Sequence, residues 1–166
     1  INFIKFFSRH YKENSVEYIL IGDGPLRSYI YNYAKINIDN LKIKFLRKIE
    51  SLPNFLKKRH VDYFINFSLK EGMSFALMEA MNLGIIPIVS DIAGNTEIVN
   101  PSRGFILKNY SNREFTNVSK RILENYISRK EYYKKGKNCR IFTIKKLDQK
   151  KNARSFIKII KQKLIG

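Results

Sequence analysis

Two glutamates, Glu71 and Glu79, are the residues of this sequence whose type and spacing most favour chemistry. They lie in the stretch 71–84, where a glycine after Glu71 is followed by a run of good helix formers. The run is apolar on nearly all sides, which predicts a helix buried over most of its surface. A carboxylate is costly to bury without hydrogen-bond donors. We therefore expect Glu79 to have a polar partner, either a ligand or a neighbouring lysine or arginine.

The segments around this stretch alternate between short apolar runs and helical patterns. The apolar runs predict strands at 17–21, 43–46, 62–67, 86–90 and 104–107, and the first, which lacks alternation, suits a strand buried on both faces. One helix is predicted to follow β-rich residues 17–21, with Pro25 in its first turn. A second is predicted at 51–59 with Ser51 as N-cap, and a third at 75–83, ended by Gly84. A short helix is predicted within 91–99. This order predicts an α/β fold with a doubly wound parallel sheet.

Helices are also predicted at both ends of the chain. The first runs to about residue 13 and is broken by Asn14 and Ser15, and the last three cover about 113–127, 130–140 and 148–164. In the predicted first βα unit and in the last helix, apolar residues form stripes at helical spacing. These stripes are Leu26, Tyr29, Ile30, Tyr33 and Ala34, and Ala153, Phe156, Ile157, Ile160 and Leu164.

Composition limits the classes of protein to consider. At 166 residues the chain is predicted to be a single domain, 1–166. Its 32 Lys+Arg against 14 Asp+Glu give a net charge of +18, which favours polyanions or anionic lipid as partners. One cysteine, Cys139, excludes an internal disulfide framework and fits a cytoplasmic location. With His10 and His60 it forms no metal-ligand pattern, so no metal site is expected. No run of 18 apolar residues is present, so no membrane span is expected.

Three glycine-containing segments are predicted at the carboxyl edge of the sheet, where parallel sheets bind ligands. They are 22–24, 71–74 and 93–95. Two of them lead into helix N-termini, whose unpaired N–H groups and positive dipole suit a diphosphate. If residues 71–79 were all helical, Glu71 and Glu79 would lie roughly 12 Å apart along the axis, which is the scale of a nucleotide sugar.

These residues carry a resemblance to a known family. A Glu-x7-Glu pattern, a flanking glycine and proline, a Gly-x-x-Glu segment and a Gly-Asp-Gly-Pro loop occur together at the family's spacing over about residues 1–140. The sequence thereby resembles the C-terminal, donor-binding domain of retaining GT-B glycosyltransferases of family 4. The residues that carry it are Ile21–Leu26, Ser68–Met81, Gly84, Pro87 and Ser90–Val99.

The resemblance implies a role for each matching residue. Glu71, as the catalytic-site carboxylate, would contact the hydroxyls of the donor sugar, and Glu79 would accept hydrogen bonds from the ribose. Arg47 and Lys48 would flank the nucleobase. The backbone of Gly72, Met73 and Ser74 would contact the sugar and the diphosphate. The implied donor-binding set is Gly22, Gly24, Arg47, Lys48, Glu71, Gly72, Met73, Ser74, Phe75 and Glu79, with no metal and no cofactor.

The sequence also departs from the family pattern. The family often has phenylalanine at the position of Met73 and glycine at that of Ser74. Its diphosphate-gripping arginine and lysine would precede Ile1. We therefore interpret the sequence as a fragment that lacks the acceptor-binding domain and the first strand, and we expect it to bind donor weakly and to transfer little sugar.

The resemblance implies a Rossmann-like fold and an enzyme that transfers a hexose, by default from a UDP-sugar, to a lipid-linked or polysaccharide acceptor in bacterial O-antigen or capsule synthesis. The basic surface suits peripheral attachment to the inner face of the membrane. Two alternatives stay open. One is a non-catalytic nucleotide-sugar scaffold. The other is a polyanion-binding module, although no nucleic-acid motif accompanies the charge and nucleic acid is not an expected partner.

Overall fold

The structure is a computed structural model that describes residues 1–10, 16–38, 41–146 and 149–165. Helices and strands alternate along the chain up to residue 107, after which three helices follow. The helices are α1 Asn2–His10, α2 Arg27–Asn37, α3 Leu52–Lys58, α4 Phe75–Asn82, α5 Ala93–Thr96, α6 Asn112–Ile127, α7 Arg129–Lys146 and α8 Gln149–Ile165. The strands are β1 Glu17–Ile21, β2 Lys42–Leu46, β3 Tyr63–Asn66, β4 Ile86–Ser90 and β5 Phe105–Leu107.

All of the paired strands are parallel, which confirms the predicted Rossmann-like α/β fold. They form two hydrogen-bonded groups, β1–β2 and β3–β4–β5, where the sequence predicted one sheet. Tyr18 lies opposite Ile43 in the first group, and Ile88 lies opposite Phe105 in the second. One apolar cluster contacts both groups, since Tyr18 and Ile43 pack against the buried core around Ile86 and Phe105. The two groups therefore share a hydrophobic core without sharing strand hydrogen bonds.

Strands β4 and β1 differ in burial. Every residue of β4 is buried, as its continuous apolar run suggests. In β1 the two end residues are exposed and the middle three are only partly buried, so the predicted burial of this strand on both faces is wrong. Within the described residues β1 pairs only with β2, so its side chains have strand neighbours on one side alone.

The helix that follows β1 also differs from its prediction. It begins at Arg27, so Pro25 and Leu26 lie in the preceding turn. Ala34 is buried, whereas Leu26 and Tyr29 are each 64% exposed. The apolar spacing correctly predicted a helix here, but only the C-terminal part of α2 packs against the core.

Helix ends follow local signals. Ser51 caps α3 by accepting a hydrogen bond from the Asn54 N–H at 3.4 Å, as predicted. Gly84 has a φ of 81° and ends α4, as its position suggested. Helix α7 continues six residues beyond its predicted end at residue 140 to Lys146, because its buried Cys139 and Thr143 carry the packed face past that point.

The two ends of the chain are described in part. Helix α1 packs against α6, with the rings of Phe3 and Phe115 6.1 Å apart. The predicted continuation of this helix to residue 13 and its break at 14–15 lie outside the described residues, as do the start of the last helix at 148 and the side chain of Leu164. In α8, the apolar side chains of Phe156, Ile157 and Ile160 are exposed.

Candidate functional site

The loop between β3 and α4 and the start of α5 meet at the carboxyl ends of the strands. Gly94 lies so close to the backbone of this loop that a Cβ atom added to it would sit 1.7 Å from the carbonyl oxygen of Gly72. The same atom would lie 2.7 Å from the carbonyl oxygen of Glu71. Only glycine allows this approach. Two of the three predicted glycine segments, 71–74 and 93–95, are therefore brought together.

Glu71 is held by a hydrogen bond within this loop. The side-chain amide of Asn66, at the end of β3, donates to Glu71 Oε2 at 3.0 Å. This bond, with the nearby hydroxyls of Ser68 and Ser74, lowers the pKa of Glu71 below its ordinary value, against the opposing effect of burial. The carboxylate is therefore ionised at neutral pH and accepts hydrogen bonds rather than donating them.

A chain of hydrogen bonds continues from Asn66 into the core. Asn66 Oδ1 accepts from both the N–H (3.2 Å) and the hydroxyl (2.8 Å) of Ser68. The carbonyl of Ser68 accepts from the Ser90 hydroxyl at 2.6 Å. Asn95, which is fully buried, donates to the carbonyl of Ser90 at 3.1 Å and to its hydroxyl oxygen at 3.2 Å. The ends of β3 and β4 and helix α5 thus support the Glu71 loop together.

Asn66 was not predicted as a site residue. Ser68, Ser90 and Asn95 lie in the segments that carry the family resemblance, but no role was predicted for their side chains. One signal was visible, because Asn66 is a polar residue that interrupts the otherwise apolar run 63–67. Ser68 is a local partner two residues away, whereas Ser90 and Asn95 lie in segments that only the fold brings to Ser68.

Helix α4 begins beside Glu71 with an N-cap. Buried Ser74 accepts a hydrogen bond from the Leu77 N–H at 3.4 Å. Next to it, Gly72, Met73 and Phe75 are exposed, Phe75 by 74%. The backbone around the first turn is therefore open to a ligand, and its N–H groups and dipole favour an anion there.

Glu79 lies in the second turn of α4 and is half-buried. Over the parts of the chain that the structure describes, its carboxylate has no hydrogen-bond or ion-pair partner, so the alternative of a lysine or arginine neighbour finds no support. The expected burial of α4 on most sides holds for Leu77, Ala80 and Met81 but not for Phe75. Because the helix begins at Phe75, the 12 Å axial estimate between the two glutamates does not apply.

The β1–α2 loop forms a separate cluster with the end of β2. Arg27, which the sequence analysis missed, donates from Nη1 to the carbonyl oxygens of Gly22 at 2.8 Å and Leu46 at 3.0 Å. Asp23 lies 3.8 Å from Arg27 Nε and 4.0 Å from Arg47 Nε, and Arg47 is 79% exposed.

Gly24 has open space around it, and Lys48 is exposed. No described hydrogen bond or ion pair joins this cluster to the Glu71 loop. Among the described residues, the third predicted glycine segment, 22–24, is therefore not linked to the other two by hydrogen bonds or ion pairs.

The comparison with protein-family models decides the family. The model of the glycosyl transferases group 1 family matches residues 2–139. The chain belongs to this family. The predicted resemblance is thereby confirmed.

Curated relatives add named activities. The chain is 33% identical over 125 residues to the Escherichia coli UDP-Gal:alpha-D-GlcNAc-diphosphoundecaprenol alpha-1,3-galactosyltransferase, covering 74% of this chain and 31% of that protein. It is 33% identical over 89 residues to Protein CapJ of Staphylococcus aureus, covering 52% of this chain and 22% of that protein. The chain thus spans less than a third of the length of these curated relatives.

Solved structures share the fold. Anabaena HepE in complex with UDP-glucose superposes with a TM-score of 0.74 at 17% identity, over 96% of this chain and 44% of that chain. The C-terminal domain of a group 1 family protein, LpcC of Francisella tularensis, gives a TM-score of 0.52 at 13% identity, over 87% and 92% of the two chains. The fold of this group 1 chain is therefore that of GT-B glycosyltransferase structures.

In residues 1–10, 16–38, 41–146 and 149–165, no three His, Cys, Asp or Glu side chains are grouped so as to hold a metal ion. Cys139 is buried, and desolvation raises the pKa of its thiol to about 12. None of the described helices is both long enough and apolar enough to cross a membrane.

Proposed function

We propose that this chain is the donor-binding part of a retaining hexosyltransferase that uses a UDP-sugar. The observation that carries the proposal is the Glu71 carboxylate, held ionised beside the open N-terminus of α4 in a group 1 glycosyl transferase. The donor class is supported by the UDP-Gal in the name of the E. coli relative and by UDP-glucose in HepE.

The two carboxylates serve different parts of the donor. Glu71 accepts hydrogen bonds from sugar hydroxyls, while Glu79, half-buried and without a described partner, accepts them from the ribose. The backbone of Gly72, Met73, Ser74 and Phe75 contacts the sugar and the diphosphate at the helix N-terminus, and charge stabilisation there assists departure of the nucleotide. This reaction uses no cofactor, and no metal ion is required.

The β1–α2 loop and the segment after β2 receive the nucleobase. Arg47 and Lys48 are exposed just after β2, where the Gly22 N–H donates to the Leu46 carbonyl, and Gly24 is exposed in the β1–α2 loop. In this arrangement the nucleotide lies across both strand groups. We also propose that a further strand and an acceptor-binding domain, outside residues 1–166, complete the protein.

The proposed acceptor is a lipid-linked glycan or a growing surface polysaccharide, of the O-antigen or capsule type. The diphosphoundecaprenol acceptor in the relative's name supports a lipid-linked substrate. A place on the inner face of the cytoplasmic membrane would suit such an acceptor, and the net charge of +18 favours an anionic surface. Co-sedimentation with phosphatidylglycerol vesicles but not with phosphatidylcholine vesicles tests this location.

Thermal unfolding with a panel of donors tests the function. UDP-galactose and UDP-glucose should raise the Tm, because a ligand that binds only the folded state stabilises it. GDP-mannose should raise it less, and Glu79→Ala should reduce the shift. Turnover with a lipid-linked acceptor separates an enzyme from a non-catalytic scaffold, which would bind donor without transfer. Absence of any shift with all UDP compounds would refute the proposal.

A further inference from the structure

We propose that Asn66 is a positioning residue that sets the orientation of the Glu71 carboxylate toward the donor sugar. This inference rests on the proposed function, because it concerns how Glu71 meets its substrate. Asn66 lies at the last position of β3, and its side-chain amide donates to Glu71 Oε2 at 3.0 Å.

The orientation of the Asn66 amide is fixed by its second set of contacts. Its oxygen accepts two hydrogen bonds from Ser68, from the N–H at 3.2 Å and from the hydroxyl at 2.8 Å. Turning the amide over would place its NH2 group against the Ser68 N–H, two donors facing each other. The NH2 group is therefore kept on the Glu71 side.

The support behind Ser68 makes this orientation rigid. Ser90 donates to the Ser68 carbonyl, and fully buried Asn95 donates to Ser90. A hydrogen bond to an ionised group is stronger than one between neutral groups. The bond from Asn66 therefore restrains the position of one oxygen of the Glu71 carboxylate. A carboxylate has about four lone-pair sites, and the sites that Asn66 leaves open accept hydrogen bonds from the sugar.

A second asparagine in the chain provides a matched control. Asn100 makes the same local turn, since its Oδ1 accepts from the N–H of Ser102 at 3.0 Å and from the hydroxyl of Ser102 at 2.8 Å. It lies before β5, at the opposite end of that strand from the loops of the candidate site. Replacing each asparagine in turn therefore separates the effect on Glu71 from the effect on a local turn.

The most informative change is Asn66→Asp, beside Asn100→Asp. The aspartate keeps the acceptor for Ser68 but removes the donor to Glu71 and adds a like charge, which raises the pKa of Glu71. In the protein that includes the proposed acceptor-binding domain, we expect kcat/KM for the UDP-sugar to fall by about ten- to a hundredfold. The acidic limb of the pH profile should move to higher pH. Asn100→Asp should change kcat/KM by less than about twofold and leave the pH profile unchanged. Asn66→Gln should lower kcat/KM by an amount between the effects of Asn100→Asp and Asn66→Asp.

Carbon-13 NMR titration of Glu71 provides a readout that does not depend on turnover. The pKa of Glu71 should rise in Asn66→Asp and stay unchanged in Asn100→Asp. An unchanged Glu71 titration, or equal kinetic effects of the two variants, would overturn the positioning role. If the wild-type protein neither binds nor turns over a UDP-sugar, the proposed function fails, and the titration still decides whether Asn66 controls the carboxylate.

Discussion

The β3–β4–β5 sheet and the β1–β2 sheet hold their loops in different ways. In the first, a fully buried strand and a chain of hydrogen bonds through Asn66, Ser68, Ser90 and Asn95 support the Glu71 loop. In the second, strand β1 is only partly buried, and its loop is held by Arg27 and by ion pairs of Asp23 that are half exposed. Exposed ion pairs contribute little stability. We therefore expect the Glu71 loop of the β3–β4–β5 sheet to be held more rigidly than the β1–α2 loop of the β1–β2 sheet.

This difference separates two tasks in the proposed site. A group proposed to contact the reacting sugar has to be held in a fixed geometry by hydrogen-bonded neighbours. Glu71 is held by part-buried Asn66, which buried Ser90 and Asn95 support through Ser68. A loop that only flanks a nucleobase needs less support. Predictions that apply the same change to both sides test whether the contrast is real.

The largest effect is expected for glycine to alanine changes. In Gly94→Ala the new Cβ would lie 1.7 Å from the Gly72 carbonyl oxygen, so the backbone of the Glu71 loop must move. We expect the free energy of unfolding to fall by about 3 kcal/mol and donor binding to be lost. Gly24→Ala is the matched variant, because nothing lies within 4 Å of its Cβ.

Urea unfolding of the two variants measures the difference. Gly24→Ala should change stability by less than about 0.5 kcal/mol. Equal losses in the two variants would show that the two loops are packed alike, which the structure contradicts.

A smaller effect is expected at two helix caps. Ser74 and Ser51 each accept a hydrogen bond from an N–H three residues ahead at 3.4 Å. Ser74→Ala and Ser51→Ala should each lower the free energy of unfolding by about 1 kcal/mol. Only Ser74→Ala should also weaken the binding of UDP-sugar in calorimetry, since only α4 begins at the candidate site. Equal donor affinity in the two variants would place the diphosphate elsewhere.

The smallest effect is expected at Glu17 in β1, which lies 2.6 Å from Lys44 Nζ and 3.2 Å from Arg59 Nη1. The hydrogen bond from Lys44, followed by the charges of Lys44, Lys42 and Arg59, lowers the pKa of Glu17. The contribution is present above the ordinary pKa of 4.5 and is lost as pH falls through the lowered value.

Glu17→Gln tests this contribution. At neutral pH it should cost at most about 0.5 kcal/mol, and the difference from wild type should disappear in acid and in high salt. A loss above 2 kcal/mol would show that β1 is not held lightly.

The sequence predicted the features that depend on neighbouring residues. The order of strands and helices, the cap at Ser51 and the helix end at Gly84 all follow from local patterns, and the structure confirms them. The Glu-x7-Glu pattern, together with the flanking glycine, proline and Gly-x-x-Glu segment, identified the family, which the family model confirms. The roles of the individual donor-binding residues stay predictions.

What the sequence did not predict depends on residues far apart in the chain. The support of Glu71 through Ser90 and Asn95 requires β3, β4 and α5 to meet. The exposure of Leu26 and Tyr29 depends on which elements cover α2, and the separation of β1–β2 from β3–β4–β5 depends on strand pairing. Helical spacing reports that a face is apolar, but it does not report what lies against that face.

The central claim is that Glu71 recognises the sugar and Glu79 recognises the ribose of one donor. Calorimetric titration of Glu71→Gln and Glu79→Gln with UDP and with UDP-galactose tests it directly. Glu71→Gln should weaken UDP-galactose binding by about tenfold and leave UDP unchanged, whereas Glu79→Gln should weaken both by about tenfold. Unchanged affinity of both variants for both ligands, or equal weakening of UDP by the two variants, would contradict the account.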